Sequence, residues 1–316
     1  MKKLHPFLWI YFSLSFLVLR SKLQVTPAWF DGTLERNHAA LLSLQYTNNE
    51  QSRLLQFYIP ELLVRTLGLT IAHAYIVQRW LFVGLALALF HVYVRRWFSI
   101  GVTFAAVCFA AAILPFTFMN DLQESFAFLM ASSVATLWAI RDGPSWSVAL
   151  ALVVGALNNE TSLALATVYA ADRFRGWRPA ALLDAAWRTT AVAAPAIIYT
   201  GWIRYVTRDS PHLGGARHWR DNLAGMVGDL GLSPLDYYRA LYLSMFFIFN
   251  VLWIFALLRP SQKPRFVRAT LWLIPAWILP HLLTGIVLEV RQMVPLAFVV
   301  VPAVFFWMFR GELTEP

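Results

Sequence analysis

The sequence predicts an all-α fold, a polytopic transmembrane helix bundle of about 10 membrane segments with a short-helix hairpin and outer-face amphipathic helices. Of the 316 residues, 59% are hydrophobic and only 14% are charged, whereas a soluble domain usually has about 25% charged residues. Apolar runs long enough to cross a bilayer recur along the whole chain. Because no internal repeat, low-complexity segment or soluble domain interrupts them, residues 1–316 are predicted to form a single transmembrane domain.

The basic residues predict both the partner and the orientation of the chain. A net charge of +9 would favour nucleic acid in a soluble protein, but these residues lie mostly at the ends of apolar runs. We therefore expect the lipid bilayer as the partner and no nucleic acid. When the residues at the ends of successive spans are assigned to alternating sides of the membrane, one side receives 14 Lys and Arg residues and six acidic residues. The other side receives 12 Lys and Arg residues and 11 acidic residues. By the positive-inside rule, both termini are predicted to be cytoplasmic in a cell inner (cytoplasmic) membrane.

The first half of the chain contains four predicted spans. The first, 6–19, follows two lysines and resembles a signal peptide, but no small-residue cleavage site follows, so it is expected to be retained. Leucines and aromatic residues recur at near-helical spacing in the polar stretch 21–65, which predicts amphipathic helices on the membrane surface. The next spans are predicted at 67–94, 99–118 and 122–140.

A polar sequence, Asn158-Asn159-Glu160, interrupts the apolar run 147–171. Arg141 before this run and Arg173 after it are both predicted to be cytoplasmic, so the run is expected to form a hairpin of two short helices. Each limb is shorter than the ~20 residues of a full crossing, and an ionisable group near the bilayer centre costs at least ~2.5 kcal/mol. We expect the three polar residues to tie the hairpin to neighbouring helices and shape a cavity, with Glu160 as a weaker catalytic candidate.

The remaining predicted spans are 185–205, 241–258, 271–288 and 293–309, with a long polar loop at 208–239. The orientation places several polar groups on the outer face, and that convergence is the main functional signal. They lie after the first span, at the turn before the fourth, in the long loop and between the last two spans: Asp31, Asp121, Glu124, Arg217, His218, Arg220, Glu289 and Arg291.

Each of these groups has a structural interpretation and a functional one. Asp31, Asp121 and Glu124 are typical turn or helix-cap residues, and they are also candidate catalytic carboxylates. Glu289 with Arg291 can form a simple ion pair, or Arg291 can grip a phosphate bidentately while Glu289 holds it. The loop residues are either solvated or in contact with a diphosphate or lipid headgroup: Arg217, His218 and Arg220.

Several chemistries have no support in the sequence. There is no HExxH motif, no GxSxG elbow, no phosphate-cradling glycine loop and no Asp-x-Asp pair. The single cysteine, Cys108, lies inside an apolar run and provides neither a disulfide framework nor a cysteine metal site. We therefore expect no cofactor and no tightly held divalent metal.

Four short motifs resemble those of the C-type (GT-C) membrane glycosyltransferase superfamily, in particular its small bacterial members. They are a carboxylate after the first span, an acidic turn before the fourth, an Asn-x-Glu-Thr hairpin and a Glu-x-Arg-x-x-x-Pro near the last span: Phe30-Asp31-Gly32, Asn120-Asp121, Asn158-Asn159-Glu160-Thr161 and the stretch 289–295. The order of the predicted spans and polar loops resembles that of the superfamily along most of the chain. The chain differs in having no Asp-Asp or Asp-Glu pair in its first loop and no C-terminal soluble domain.

The resemblance implies transfer of a sugar from a polyprenyl-phosphate-linked donor to a glycan, lipid or protein acceptor on the outer face. By the same resemblance, Asp31 is the general base on the acceptor, and Arg291 holds the donor phosphate. Three further classes remain open. A transporter or flippase for a lipid-linked or small polar substrate would use a broken hairpin like 147–171. A polysaccharide polymerase would place arginines in two large outer loops, and a scaffold subunit would perform no chemistry.

Overall fold

In the computed structural model the described residues are 5–26, 30–46, 48–117, 125–210, 219–220, 222–224, 248–285 and 290–309. Within these ranges the chain is helical and contains no strands. The predicted all-α class is therefore confirmed for the described part of the chain.

The first part consists of two long helices joined by three short ones. Helix α1 spans His5–Val25, and α5 spans Ile71–Val94. Between them lie α2, α3 and α4, at Thr33–Leu42, Asn48–Gln51 and Leu54–Leu67. Gly68 ends α4 with a φ of 65°, a conformation that glycine adopts without steric cost. The Thr70 side chain then caps α5 by accepting a hydrogen bond from the His73 backbone N–H.

The middle part contains the interrupted apolar run. Helix α6 spans Ile100–Ile113 and continues as a 3₁₀ turn, and α7 spans Ser125–Asp142. Helix α8 then covers Ser145–Ala156, a 3₁₀ segment covers Glu160–Leu165, and α9 covers Ala166–Arg173.

These last three elements turn back on one another. The hydroxyl groups of Ser145 and Tyr169, near the two outer ends of the run, are 2.9 Å apart. The interruption at Asn158 and Asn159 is thus the tip of a hairpin whose two ends meet.

The last part begins with α10, Pro179–Val206. Three further helices follow in the described ranges, α11 at Leu252–Leu257, α12 at Arg265–Thr270 and α13 at Leu273–Thr284. The 3₁₀ segment Val290–Leu296 leads into α14, Ala297–Met308. In the continuous helical stretch Val290–Met308, 89% of the most apolar window is buried, against 39% for Arg265–Leu283, so α14 occupies the centre of the fold.

Three helical stretches in the described ranges are long and apolar enough to cross a membrane. They are Ile71–Val94, Arg265–Leu283 and Val290–Met308, and Ile100–Ile113 and Ser145–Ala156 are apolar but shorter. The expectation of about ten membrane segments is therefore not confirmed, because only these three stretches of the described residues have the length and hydropathy of a membrane crossing.

Candidate functional site

The hairpin tip lies beside the far end of α7. The Asn158 side-chain amide donates a hydrogen bond to the backbone carbonyl of Ser125, the first residue of α7, at 2.6 Å. The hairpin itself begins just after Asp142, where α7 ends. Because α7 is 18 residues long, about 27 Å at 1.5 Å per residue, the hairpin runs back along most of this helix.

The tip also contacts the short helices that follow α1. The Leu55 backbone N–H donates to the Leu157 carbonyl at 3.1 Å, which joins the start of α4 to the tip. The Tyr199 hydroxyl of α10 donates to the Ser52 carbonyl at 3.2 Å. Asn158 is fully buried and Asn159 nearly so. The residues just before and at the start of α4 are thus held between the tip and α10.

Three arginines from distant parts of the sequence meet in this region. Arg53 precedes α4, Arg79 belongs to α5, and Arg291 lies in the 3₁₀ segment before α14. Arg79 and Arg291 are only 2% and 7% exposed. The charges of Arg53, Arg79 and Glu50 all act on the Arg291 guanidinium. These four charged residues form what we call the arginine cluster.

The one carboxylate of this cluster is already bonded. Arg53 donates to one oxygen of Glu50 at 2.6 Å, and Gln56 donates to the other at 2.9 Å. Three guanidinium groups therefore lie near this carboxylate in the described part of the chain. The ring of Phe126 lies 5.0 Å from Arg79 and adds a cation–π contact. Guanidinium groups gathered in a poorly hydrated region are suited to binding a phosphate.

Two glutamine side chains next to cluster residues in sequence are buried without hydrogen bonds. Gln51 and Gln78 are 0% and 1% exposed. Within the described ranges neither their amide oxygens nor their amide nitrogens have a partner. Buried polar atoms in native proteins are nearly always bonded to protein or water.

A cavity of about 310 Å³ lies between the hairpin tip and α13. It has a polar side formed by the tip and a mostly apolar side formed by α13, and its lining residues are Glu160, Thr161, Leu163, Ala164, Ala276, Trp277, Pro280 and His281. The Arg204 guanidinium of α10 donates to the Glu160 carboxylate at 2.5 Å.

The cavity adjoins the arginine cluster. His281 is acted on by the charges of both Glu160 and Arg53. The Trp277 indole N–H donates to the backbone carbonyl of Gln292, the residue after Arg291, at 2.7 Å. The cavity wall at Trp277 is therefore bonded directly to the segment that carries Arg291.

Asp31 lies outside this arrangement. It is exposed, and its carboxylate accepts a hydrogen bond from the Thr33 backbone N–H at 2.9 Å. Hydrogen bonds from Thr33 hold the pKa of Asp31 below its usual value, and Arg36 lowers it further. In the part of the chain that the structure describes, no contact joins Asp31 to Arg291. The observed geometry is that of a turn residue before α2.

Most of the other predicted site residues fall outside the described ranges. Those residues are Asp121, Glu124, Arg217, His218 and Glu289. Arg220 is described and exposed, and its guanidinium lies 5.2 Å from the ring of its neighbour Trp219. Asn158 and Glu160 bond to α7 and α10 respectively, whereas Asn159 bonds to Thr161 within the hairpin turn.

Five residues of this region were not predicted from the sequence as site residues: Glu50, Arg53, Arg79, Arg204 and His281. Arg79 could have been found, since an ionisable residue inside an apolar helix marks a candidate functional site. Glu50 and Arg53 gave no such signal, because charges in a polar stretch are usually solvated. Their burial depends on α10 and the hairpin tip.

Comparison of the chain with protein-family models, curated proteins and solved structures finds no match.

Proposed function

We propose that this protein is a membrane glycosyltransferase of the GT-C type. It moves a sugar from a polyprenyl-phosphate-linked donor to a glycan, lipid or protein acceptor on the outer face of the cell inner membrane. The observation that carries this proposal is the arginine cluster, in which three guanidinium groups and one bonded carboxylate lie among apolar helices.

The chemistry of the cluster matches the phosphate of such a donor. Guanidinium groups bind phosphate bidentately and stay charged when partly desolvated. When the sugar leaves, the phosphate gains charge, and preorganised donors in a poorly hydrated site stabilise that charge most effectively. The three apolar stretches allow a lipid-anchored substrate to approach from the bilayer.

The proposal assigns the remaining roles by the resemblance to the superfamily. Asp31 takes the proton of the acceptor hydroxyl, for which a carboxylate must come within hydrogen-bond reach. Asp121 and Glu124 are further acidic candidates on the same face. Glu289 orients Arg291. The loop residues contact the headgroup or the acceptor: Arg217, His218 and Arg220.

The test is sugar transfer by purified protein in detergent from a polyprenyl-phosphate-linked hexose. Arg291→Ala should lower the transfer rate by about 10²–10³-fold, the usual loss for one charge-stabilising donor, and Arg291→Lys should recover part of it. Arg188→Ala is the matched control, because Arg188 is exposed and pairs only locally with Asp184. Wild-type rates in Arg291→Ala protein that elutes as a single species would overturn the proposal.

A transporter or flippase for a lipid-linked or small polar substrate is the second candidate. The observation that favours it is the hairpin, since broken helices with polar tips form substrate sites in transporters. A transporter would move the intact donor across proteoliposomes without cleaving it. Measuring flux and transfer in the same vesicles separates the two functions, and a polysaccharide polymerase would instead yield products of increasing length.

A further inference from the structure

We propose that the cavity between the hairpin tip and α13 binds the sugar ring of the lipid-linked donor, with Glu160 and Arg204 holding its hydroxyl groups. This inference rests on the proposed function and names the part of the site that recognises the sugar. It gives Glu160 a binding role in addition to its bond with α10.

The size of the cavity fits a small ligand. Its volume of about 310 Å³ is at the lower end of the ~300–1,000 Å³ typical of ligand cavities. That space accommodates one sugar ring and is too small for a polyprenyl chain. The lining also contains few polar groups, mainly Glu160, Thr161 and His281, as is typical of sites that orient a ligand.

The polar side of the cavity is suited to hydroxyl groups. The Glu160 and Arg204 side chains are 31% and 35% exposed although they bond to each other. A carboxylate can accept from two neighbouring hydroxyls while a guanidinium donates to them. Thr161 adds a hydroxyl that can do either.

The distribution of charge separates a sugar subsite from a phosphate subsite. The Glu160 carboxylate that lines the cavity is offset by Arg204, so the cavity suits an uncharged sugar better than a phosphate. The guanidinium groups of the arginine cluster are not part of the cavity lining. A donor with its sugar in the cavity and its phosphate at the cluster would meet complementary groups at both ends.

The polar side is held in place before any ligand binds. The Asn159 side chain accepts a hydrogen bond from the Thr161 backbone N–H at 3.0 Å, which fixes the turn that presents Glu160 and Thr161. Gly155 lies so close to Ser162 that an added Cβ would be 2.7 Å from its hydroxyl oxygen. This close approach locks α8 against the 3₁₀ segment, so the carboxylate is preorganised.

The test compares two ligands that differ only in the sugar. Binding of polyprenyl phosphate and of polyprenyl-phosphate hexose is measured for the full-length protein in nanodiscs. Glu160→Gln should weaken binding of the hexose-bearing lipid by roughly tenfold, since each hydrogen bond to a charged group contributes about that much or more. Binding of polyprenyl phosphate should stay within about twofold, because the phosphate does not contact Glu160.

Two further variants make the result specific. Thr161→Val keeps the shape of the side chain and should weaken only the hexose-bearing lipid, by about threefold to tenfold. If Glu160→Gln protein aggregates, the Thr161→Val comparison decides the question. Asp184→Asn, another carboxylate bonded to an arginine but at an exposed position, is the matched control and should change neither affinity.

The inference is overturned if the variants weaken both lipids equally or change neither. If the wild-type protein binds neither lipid, the proposed function fails and the inference fails with it. The two failures are distinguishable, because in the first case the wild-type protein still binds both lipids.

Discussion

Asp31 and Arg291 have opposite environments, although the resemblance assigns them to one reaction. Asp31 is exposed and bonded within its own turn, and Arg291 is buried among charges from three other segments. An exposed carboxylate can meet a diffusing acceptor, whereas a buried guanidinium suits a phosphate that must be desolvated. Their roles are therefore tested separately.

Asp31→Asn should abolish sugar transfer while the protein stays folded and inserted, because an amide cannot accept the acceptor proton. The lowered pKa of Asp31 keeps its carboxylate ionised to a lower pH than is usual for aspartate. Loss of activity through its protonation should therefore occur only below about pH 3.9. The measurement is the transfer rate between pH 4 and 8. Asp209→Asn, at another exposed aspartate, is the control, and a normal rate in Asp31→Asn would remove Asp31 from the mechanism.

Gly155→Ala should destabilise the hairpin, because the new Cβ would lie 2.8 Å from the Ser162 Cβ and 2.7 Å from its oxygen. Overpacking of this kind typically costs about 1–3 kcal/mol, measured as a lower thermal unfolding temperature in detergent. Gly201→Ala on α10 is the control, since an added Cβ there meets nothing within 4 Å. It should leave stability equal or raise it by about 0.5–1 kcal/mol. Equal stability of the two variants would contradict the close approach at Gly155.

At the level of elements, a buried histidine links the short helices to α5. His38 of α2 lies 3.1 Å from the Tyr75 hydroxyl of α5 and 3.1 Å from the Glu61 carboxylate of α4. Arg65 donates to the same carboxylate at 2.5 Å. Because α4 begins at the hairpin tip, this network helps to position Arg53 and Glu50.

The network should make α2 and α4 sensitive to acid. Hydrogen bonds from His38 and then from Arg65 lower the pKa of Glu61. Glu61 therefore stabilises the fold above the ordinary glutamate pKa of about 4.3. That contribution disappears as the pH falls through its lower pKa in the folded protein.

Glu61→Gln should accordingly lower the unfolding temperature by about 2–4 °C at pH 7, and the difference from wild type should shrink below about pH 4. The measurement is thermal unfolding at a series of pH values. Glu35→Gln, at an exposed position in the first turn of α2, is the matched control. A difference that stays constant with pH would show that the charge of Glu61 is irrelevant.

On the scale of the whole molecule, the apolar core around α14 contains buried arginine side chains. Large side chains such as Trp277 and Phe298 are fully buried, and Arg79 and Arg291 are buried in the same fold. Burying a guanidinium group costs free energy that its partners must offset. An anion bound at the arginine cluster would add a further partner and so stabilise the fold.

Arg291→Met should leave the unfolding temperature of the ligand-free protein unchanged or raise it, because replacing a buried charged group by an apolar side chain of similar volume is often neutral or stabilising. Polyprenyl phosphate should stabilise the wild-type protein, by about 2.7 kcal/mol at a hundredfold excess over its Kd, and should not stabilise the variant. Thermal unfolding with and without the lipid measures both effects. A sharp loss of stability in the ligand-free variant would mean that Arg291 is a structural ion-pair partner instead.

The sequence alone determined the all-α class, the position of most helices and the bend at Asn158 and Asn159. These properties depend on composition, helical periodicity and local polarity, which neighbouring residues specify. It also identified Glu160 as an ionisable group in an apolar run and Arg291 as a candidate phosphate-binding residue.

Only the tertiary structure decided which polar groups come together. Arg53, Arg79 and Arg291 are far apart in the sequence and meet because α5, the hairpin tip and the segment before α14 pack around one another. The sequence also separated Glu160 from the expected chemistry, whereas the structure places it in a cavity lining with Trp277, whose indole bonds to the residue after Arg291. Hydropathy specifies whether a residue prefers a buried position, but its partners depend on contacts between distant segments, and no local pattern encodes those contacts.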